Sequence, residues 1–273
     1  MGELQLIPQV FSILSSLIEE RGGLHYGLKD LGLMASKVSP RARALGFDLL
    51  LDYYYFIRYD PQGDEELAGL LESLVIHETY FFREAEQLKL LVDTCLLPRV
   101  EAGARPRVWC AAASTGEEPY TLAMLLGERK LLGHVELIAS DLSRSLLARA
   151  QAGIYGGRAL RAVEGTVATR WLVPTGAREV RVPQVLRRAI DWRRINLVDR
   201  APIEALGKFD AILCRNVLIY FSDSVAARVV RQLTSALKTR GLLLVGASES
   251  LMPFGTGLNC EERSGSFFYR KSN

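Results

Sequence analysis

The segment Arg107-Val108-Trp109-Cys110-Ala111-Ala112-Ala113-Ser114-Thr115-Gly116-Glu117-Glu118-Pro119-Tyr120 restricts the possible folds most strongly. A short apolar run ends in small residues and one glycine, Pro119 stands where a helix can begin, and Thr121-Leu122-Ala123-Met124-Leu125-Leu126 continues as an amphipathic stretch. The order reads strand, tight turn, helix. Small residues let a ligand approach the backbone closely, and the free amides of the helix start favour electron-rich groups. Nucleotide-like ligands sit at such turns, beyond the carboxyl ends of parallel strands. The turn lacks G-x-G-x-x-G spacing, and the adjacent carboxylates Glu117 and Glu118 would repel a pyrophosphate. That argues against a dinucleotide and for a ligand with a positive centre, a ribose and no phosphate, of which S-adenosylmethionine is the common one. The same carboxylates also sit favourably against a helix dipole with no ligand at all. Taken alone, the turn leaves both readings open.

With 273 residues there is room for a large core and a smaller one, since domains commonly hold about 100–200 residues. Two domains are expected. No apolar run is long enough to cross a bilayer, and Met1-Gly2-Glu3-Leu4 lacks the basic start of a secretion signal, so the expectation is a soluble, cytoplasmic protein. Cys95, Cys110, Cys214 and Cys260 lie in apolar surroundings without a C-x-x-C, which predicts reduced core thiols and no metal site. The net charge of +3 hides an asymmetry: residues 1–76 carry 6 basic and 11 acidic side chains, residues 77–273 carry 28 and 20. Between Arg158 and Arg194, nine arginines stand against Glu164, Glu179 and Asp191. Such a segment suits nucleic acid, the acidic surface of a protein partner, or plain solvation.

Residues 4–75 read as helices, with apolar positions at helical spacing in Leu6, Val10, Ile13, Leu14 and Leu17, and again in Leu45, Leu49, Tyr53 and Phe56. A turn around Pro61 precedes a helix from Glu65 to Leu74, and Lys37, Arg41 and Arg43 offer a small basic surface or solvated helix ends. The aromatics of His77-Glu78-Thr79-Tyr80-Phe81-Phe82-Arg83-Glu84 break this pattern: Phe81 and Phe82 suit packing between domains, and the planar fork of Arg83 suits a carboxylate. A helix from Ala85 to Val100 leads toward the central strand. Beyond that strand and its helix, residues 135–140 form a second strand ending at Asp141, where α/β nucleotide folds hold a ribose, although Asp141 also suits an N-cap for a helix from Ser143 to Ala150.

The arginine-rich segment, alternating in Val180-Arg181-Val182 and Ile190-Asp191-Trp192, reads as an inserted, partly β excursion, with Ile195-Asn196-Leu197 as the return to the main sheet. Residues 209–216 form an apolar strand whose last residue, Asn216, can bond a ligand or make an Asx turn. Ser222 or Asp223 caps a helix to Leu237 that Gly241 ends, residues 242–245 are a buried strand, and residues 261–270 close an antiparallel hairpin. This alternation predicts a doubly wound α/β sheet with an antiparallel edge.

Together, His77–Glu84, Ala111–Tyr120 and Cys214-Arg215-Asn216-Val217-Leu218-Ile219-Tyr220-Phe221 closely resemble the motifs of the CheR family of chemotaxis receptor methyltransferases, in family order, with weaker similarity from about Gly32 to Arg270. The resemblance implies a class I S-adenosylmethionine-dependent methyltransferase domain at 106–273 with a small β subdomain at about 156–194. An all-helical N-terminal domain occupies 1–76, and a connecting segment and helix occupy 77–105. The implied reaction is methyl esterification of glutamate side chains on the cytoplasmic helices of chemoreceptors. A receptor C-terminal tail or another protein is the implied partner of the β subdomain, with neither nucleic acid nor membrane insertion expected.

By the same resemblance, Thr79 and Arg83 lie at the methionine end of the cofactor, Ala113 in the turn and Glu117 near the amino group. Asp141 lies on the ribose, Asn196 and Leu197 beside the adenine, Asn216 and Val217 along the cofactor, and Tyr220 next to the acceptor carboxylate, which Arg83 and Tyr220 are expected to orient rather than neutralise. His77 stands where the family pattern has asparagine, and imidazole can also donate a hydrogen bond.

The chemistry agrees. A glutamate with a pKa of about 4.3 is already a nucleophile at neutral pH, so no His or Cys base is needed. Carboxylate attack on a sulfonium makes two neutral products, and an enzyme then mainly positions the pair and excludes water. Two readings from other classes compete. A CheR-like scaffold that keeps the cofactor without catalysis would release no methyl groups from a receptor fragment, and a small-molecule or nucleic-acid methyltransferase should lack the Phe-Phe-Arg segment.

Overall fold

The computed structural model describes residues 4–163 and 166–272, so Met1–Glu3 and Glu164 of the readings above lie outside it. Two compact units emerge. One holds the chain up to Ile76 together with Tyr220–Val225, the other His77–Ile219 with the chain from Ala226 onward.

The first unit contains α1 (Pro8–Gly22), α2 (Leu31–Ala44), α3 (Leu50–Tyr59) and α4 (Gly63–Leu74). Pro8 opens α1, whose buried stripe includes Val10, Leu14 and Leu17. The second expected period is interrupted: α2 stops at Ala44, Gly46 turns the chain at φ +85°, and Leu45 and Leu49 are exposed while Tyr53 and Ile57 are buried. Arg41 supplies no basic surface. Its Nε and Nη2 each donate at 2.7 Å to Glu66, and Tyr53 Oη donates to the same carboxylate at 2.6 Å.

Among its described residues the second unit carries ten strands: β1 (Arg107–Ala111), β2 (Glu136–Asp141), β3 (Ile154–Gly156), β4 (Val173–Gly176), β5 (Glu179–Arg181), β6 (Ile190–Arg194), β7 (Phe209–Leu213), β8 (Leu237–Leu244), β9 (Leu258–Arg263) and β10 (Ser266–Lys271). The main sheet has the order β6-β2-β1-β7-β8-β10-β9, and β3, β5 and β4 form a separate small sheet. The first five strands of that order are parallel, and the β9–β10 hairpin adds the antiparallel edge. Val108, Trp109, Cys110 and Ala111 are all buried, as a central parallel strand covered on both faces requires. The helices after Ile76 are α5 (Ala85–Leu91), α6 (Leu97–Glu101), α7 (Glu117–Glu128), α8 (Arg144–Ala152), α9 (Thr166–Trp171), α10 (Gln184–Arg188), α11 (Arg200–Ala205) and α12 (Asp223–Ala236), whose first residues, up to Val225, belong to the first unit. A π-helical turn over Val92–Leu96 links α5 to α6.

The inserted sheet is shorter than the sequence suggests. Ile190–Arg194 is β6 of the main sheet, in parallel register with β2 from Leu137↔Ile190 to Asp141↔Arg194, so the chain has returned to the main sheet before Ile195. Its alternation is that of an edge strand with one covered face. Gly241 does not end α12 either. That helix stops at Ala236, and Gly241 lies within β8, just after Arg240 at φ +61°, where the register with β7 is irregular. Cys95, Cys110 and Cys214 are buried, but Cys260 is exposed on edge strand β9. Among the described residues, no helix is long and apolar enough to cross a membrane.

Candidate functional site

Neighbours of β1 diverge, with β2 on one side and β7 on the other, which is where open α/β sheets bind ligands. The carboxyl ends of β1, β2 and β7 bring the Ala112–Gly116 turn, Asp141 and Asn216 to one rim of the sheet. Backbone bonds hold the turn. Ala113 N–H donates to the Ser140 carbonyl and Ser114 N–H to Asp141 Oδ2, both at 2.8 Å, while Ser143 N–H donates to Asp141 Oδ1 at 3.0 Å. Asp141 is therefore not the N-cap of α8. Ser143 is, its Oγ accepting from Leu146 N–H at 3.2 Å.

Gly116 sits at φ +94°, and a Cβ there would lie 2.8 Å from Ala150 Cβ and 2.9 Å from the Trp192 ring. An aromatic brace stands behind the turn. Tyr155 Oη donates to the Thr115 carbonyl at 2.5 Å, Tyr120 Oη to the Ala150 carbonyl at 2.7 Å, and the Tyr120 and Trp192 rings are 5.5 Å apart. Phe81 is fully buried against Tyr155, ring centroids 4.8 Å apart, so it belongs to the α/β core rather than to packing between domains.

The two adjacent carboxylates have opposite surroundings. Glu117, at the start of α7, is 3 % exposed, and its Oε2 accepts from Thr115 Oγ1 at 2.7 Å. Among the described residues no cation pairs with it directly; burial raises its pKa, and Thr115, Arg149 and His77 offset this only in part. Glu118 instead accepts from Arg215 Nη1 at 2.8 Å, although burial still pushes its carboxyl up. The other arm of Arg215 donates to Glu84 Oε2 at 2.9 Å and to the Arg83 carbonyl at 3.1 Å. Burial would raise Glu84, but the Arg215 charge overrides it and holds that carboxyl below the usual range. Glu249 gathers four backbone N–H groups: Asn216 and Gly246 at 2.7 Å, Leu218 at 2.8 Å and Val217 at 2.9 Å. Glu84, Arg215 and Glu249 received no role from the sequence, and Glu118, read there with Glu117 as favouring a positive ligand, is taken up by Arg215, which meets Glu118 and Glu84 across 97 and 131 residues.

The remaining candidates fall as follows. Arg83 is partly buried, and its Nη1 donates to the Glu78 carbonyl at 3.0 Å. His77 is exposed and Thr79 partly buried in the irregular chain before it. Asn196 and Leu197 follow Ile195, whose N–H donates to the Asp141 carbonyl at 3.1 Å, so this pair is tied to the end of β2. Tyr220 belongs to the helical unit, where its carbonyl accepts from His25 N–H at 2.9 Å. In the arginine-rich segment, Arg161, Arg170 and Arg193 pair with Glu78, Glu128 and Asp191, whereas Arg178 and Arg181 have no carboxylate partner among the described residues.

A buried carboxylate with no cation paired to it among the described residues suits a cationic, ribose-bearing cofactor better than a phosphate. Such a turn after β1, an acid after β2 and a sheet closed by an antiparallel hairpin define an S-adenosylmethionine-dependent methyltransferase. Residues 77–263 match the family described as CheR methyltransferase, SAM binding domain. The chemotaxis protein methyltransferase of Vibrio parahaemolyticus is 33% identical over 258 residues, covering 92% of each chain. That of Escherichia coli K12 is 35% identical over 254 residues, covering 90% of this chain and 86% of its own. The chain belongs to the CheR methyltransferase family, and S-adenosylmethionine is its cofactor.

Proposed function

We infer that the chain transfers the methyl group of S-adenosylmethionine to glutamate side chains of chemoreceptors, forming methyl esters. Glu117 carries this reading: it is buried at the turn with no cation paired to it among the described residues, while its neighbour Glu118 has Arg215. The cofactor, when bound, supplies a positive charge and an electrophilic methyl group. Asp141, fixed at the end of β2 by the Ser114 and Ser143 N–H groups, is the acid that takes the ribose. Ala113 leaves room in the turn, His77 and Thr79 donate at the methionine end, Asn196 and Leu197 flank the adenine, and Asn216 and Val217 line the path between.

The acceptor carboxylate is ionised at neutral pH, so the protein orients it and has no proton to remove. Charge disappears on the way to products, and a full-strength arginine clamp on the acceptor would stabilise the ground state more than the transition state. Arg83 is already engaged by the Glu78 carbonyl and lies 3.9 Å from Glu84, so it orients without neutralising. On the partner side, the acceptor glutamates lie on cytoplasmic receptor helices, and Arg178 and Arg181 suit an acidic receptor tail. Radiolabelled cofactor and a receptor cytoplasmic fragment should give methyl groups that alkali releases as methanol; alkali-stable label would overturn the reading. Arg83→Ala should lower the maximal rate at saturating receptor by about tenfold or more.

A further inference from the structure

Three parts of the site meet on a side chain to which the roles above assign nothing. Arg215 is 1 % exposed at its side chain and divides its fork between Glu118 on α7 at 2.8 Å and Glu84 at 2.9 Å, with the Arg83 carbonyl at 3.1 Å on the second arm. Glu84 stands at φ +48° and Phe82 at +61°, so the chain on both sides of Arg83 adopts a conformation that side chains rarely hold unless neighbours impose it. Glu84 also accepts from Ala247 N–H at 3.1 Å and from Asn216 Nδ2 at 3.4 Å. The left-handed turn bearing Arg83 is thus pinned to the first turn of α7 and to the ends of β7 and β8. Its pin is one planar, permanently charged group.

We propose that Arg215 is a positioning residue for methyl transfer, aiming the Arg83 side chain by locking Glu84 and the Arg83 carbonyl to Glu118 without touching cofactor or acceptor. The proposal rests on the role given to Arg83 in the function inferred above. Lysine at this place keeps the charge but is a point donor that cannot serve two carboxylates and a carbonyl in one geometry.

A double-mutant cycle on the full chain tests it, combining Arg215→Lys with Arg83→Ala and reading S-adenosylhomocysteine affinity by calorimetry and kcat on a receptor fragment. Alone, Arg215→Lys should weaken binding and lower kcat by about tenfold; in the Arg83→Ala background it should add less than about twofold to either loss. Equal fold-losses in both backgrounds, or no loss in the first, would overturn the proposal, since damage that is merely structural adds in either. Should Arg215→Lys fail to fold, Glu118→Gln, which keeps the guanidinium and weakens its anchor on α7, enters the same cycle with the same expectation. Homocysteine-cofactor affinity needs no receptor. Failure of the wild type to methylate a receptor fragment would therefore sink the functional reading and leave this one measurable.

Discussion

Glu117 and Glu118 are neighbours in sequence and opposites in chemistry, because Glu118 is ion-paired with Arg215 whereas no cation among the described residues pairs directly with Glu117. Burial raises the folded pKa of Glu117 above its unfolded value of about 4.3, so this group contributes its full stability below that value and loses it as pH rises through the folded pKa. A bound cation reverses the preference. Cofactor binding should therefore release a proton in weakly acidic buffer, and affinity should climb as pH rises past about 4.3 and then level. Glu117→Gln should abolish that dependence and weaken S-adenosylmethionine binding by about tenfold or more; calorimetry in buffers of different ionisation enthalpy reads both. Gly116→Ala places a Cβ against Ala150 and Trp192 at positive φ and should cost about 1–3 kcal/mol in urea denaturation. The sequence shows that a glycine stands in the turn, but the residues that forbid a side chain there come from α8 and β6.

Between elements, carboxylates stitch the loops of the sheet rim together. Glu249 joins the end of β7 to the loop after β8 through four amides. Glu249→Ala should lower the unfolding free energy by about 3 kcal/mol, because several donors lose their acceptor at once, and should speed hydrogen exchange at Asn216, Val217 and Leu218. Asp141 joins the turn after β1 to the start of α8. Asp141→Ala should weaken S-adenosylmethionine and S-adenosylhomocysteine by similar factors, since both carry the ribose; a loss confined to one would remove Asp141 from that role. Local spacing suggested Asp141 as the cap of α8. The choice fell to Ser143 because Asp141, at the end of β2, is drawn to the amides of the neighbouring strand's turn.

At the scale of the molecule, two compact units share one chain, and Tyr220–Val225 belongs with the helices rather than with the sheet whose strands flank it. Heat unfolding of such a chain need not be a single two-state event. S-adenosylhomocysteine at about 100 times its Kd should add about 2.7 kcal/mol to the unit that binds it, and scanning calorimetry should show the shift in the transition of the α/β unit. The strand–turn–helix around Gly116, the helices before His77, the closing hairpin and the family motifs were legible from the sequence alone, since each rests on local periodicity, turn chemistry or a contiguous run of residues. Tertiary structure alone decided that Ile190–Arg194 extends the main sheet, that Arg41 is spent on Glu66, and that Arg215 gathers Glu84 and Glu118. These depend on strand register and on charges brought together from distant parts of the chain, where burial makes each ion seek a partner that spacing along the sequence does not reveal.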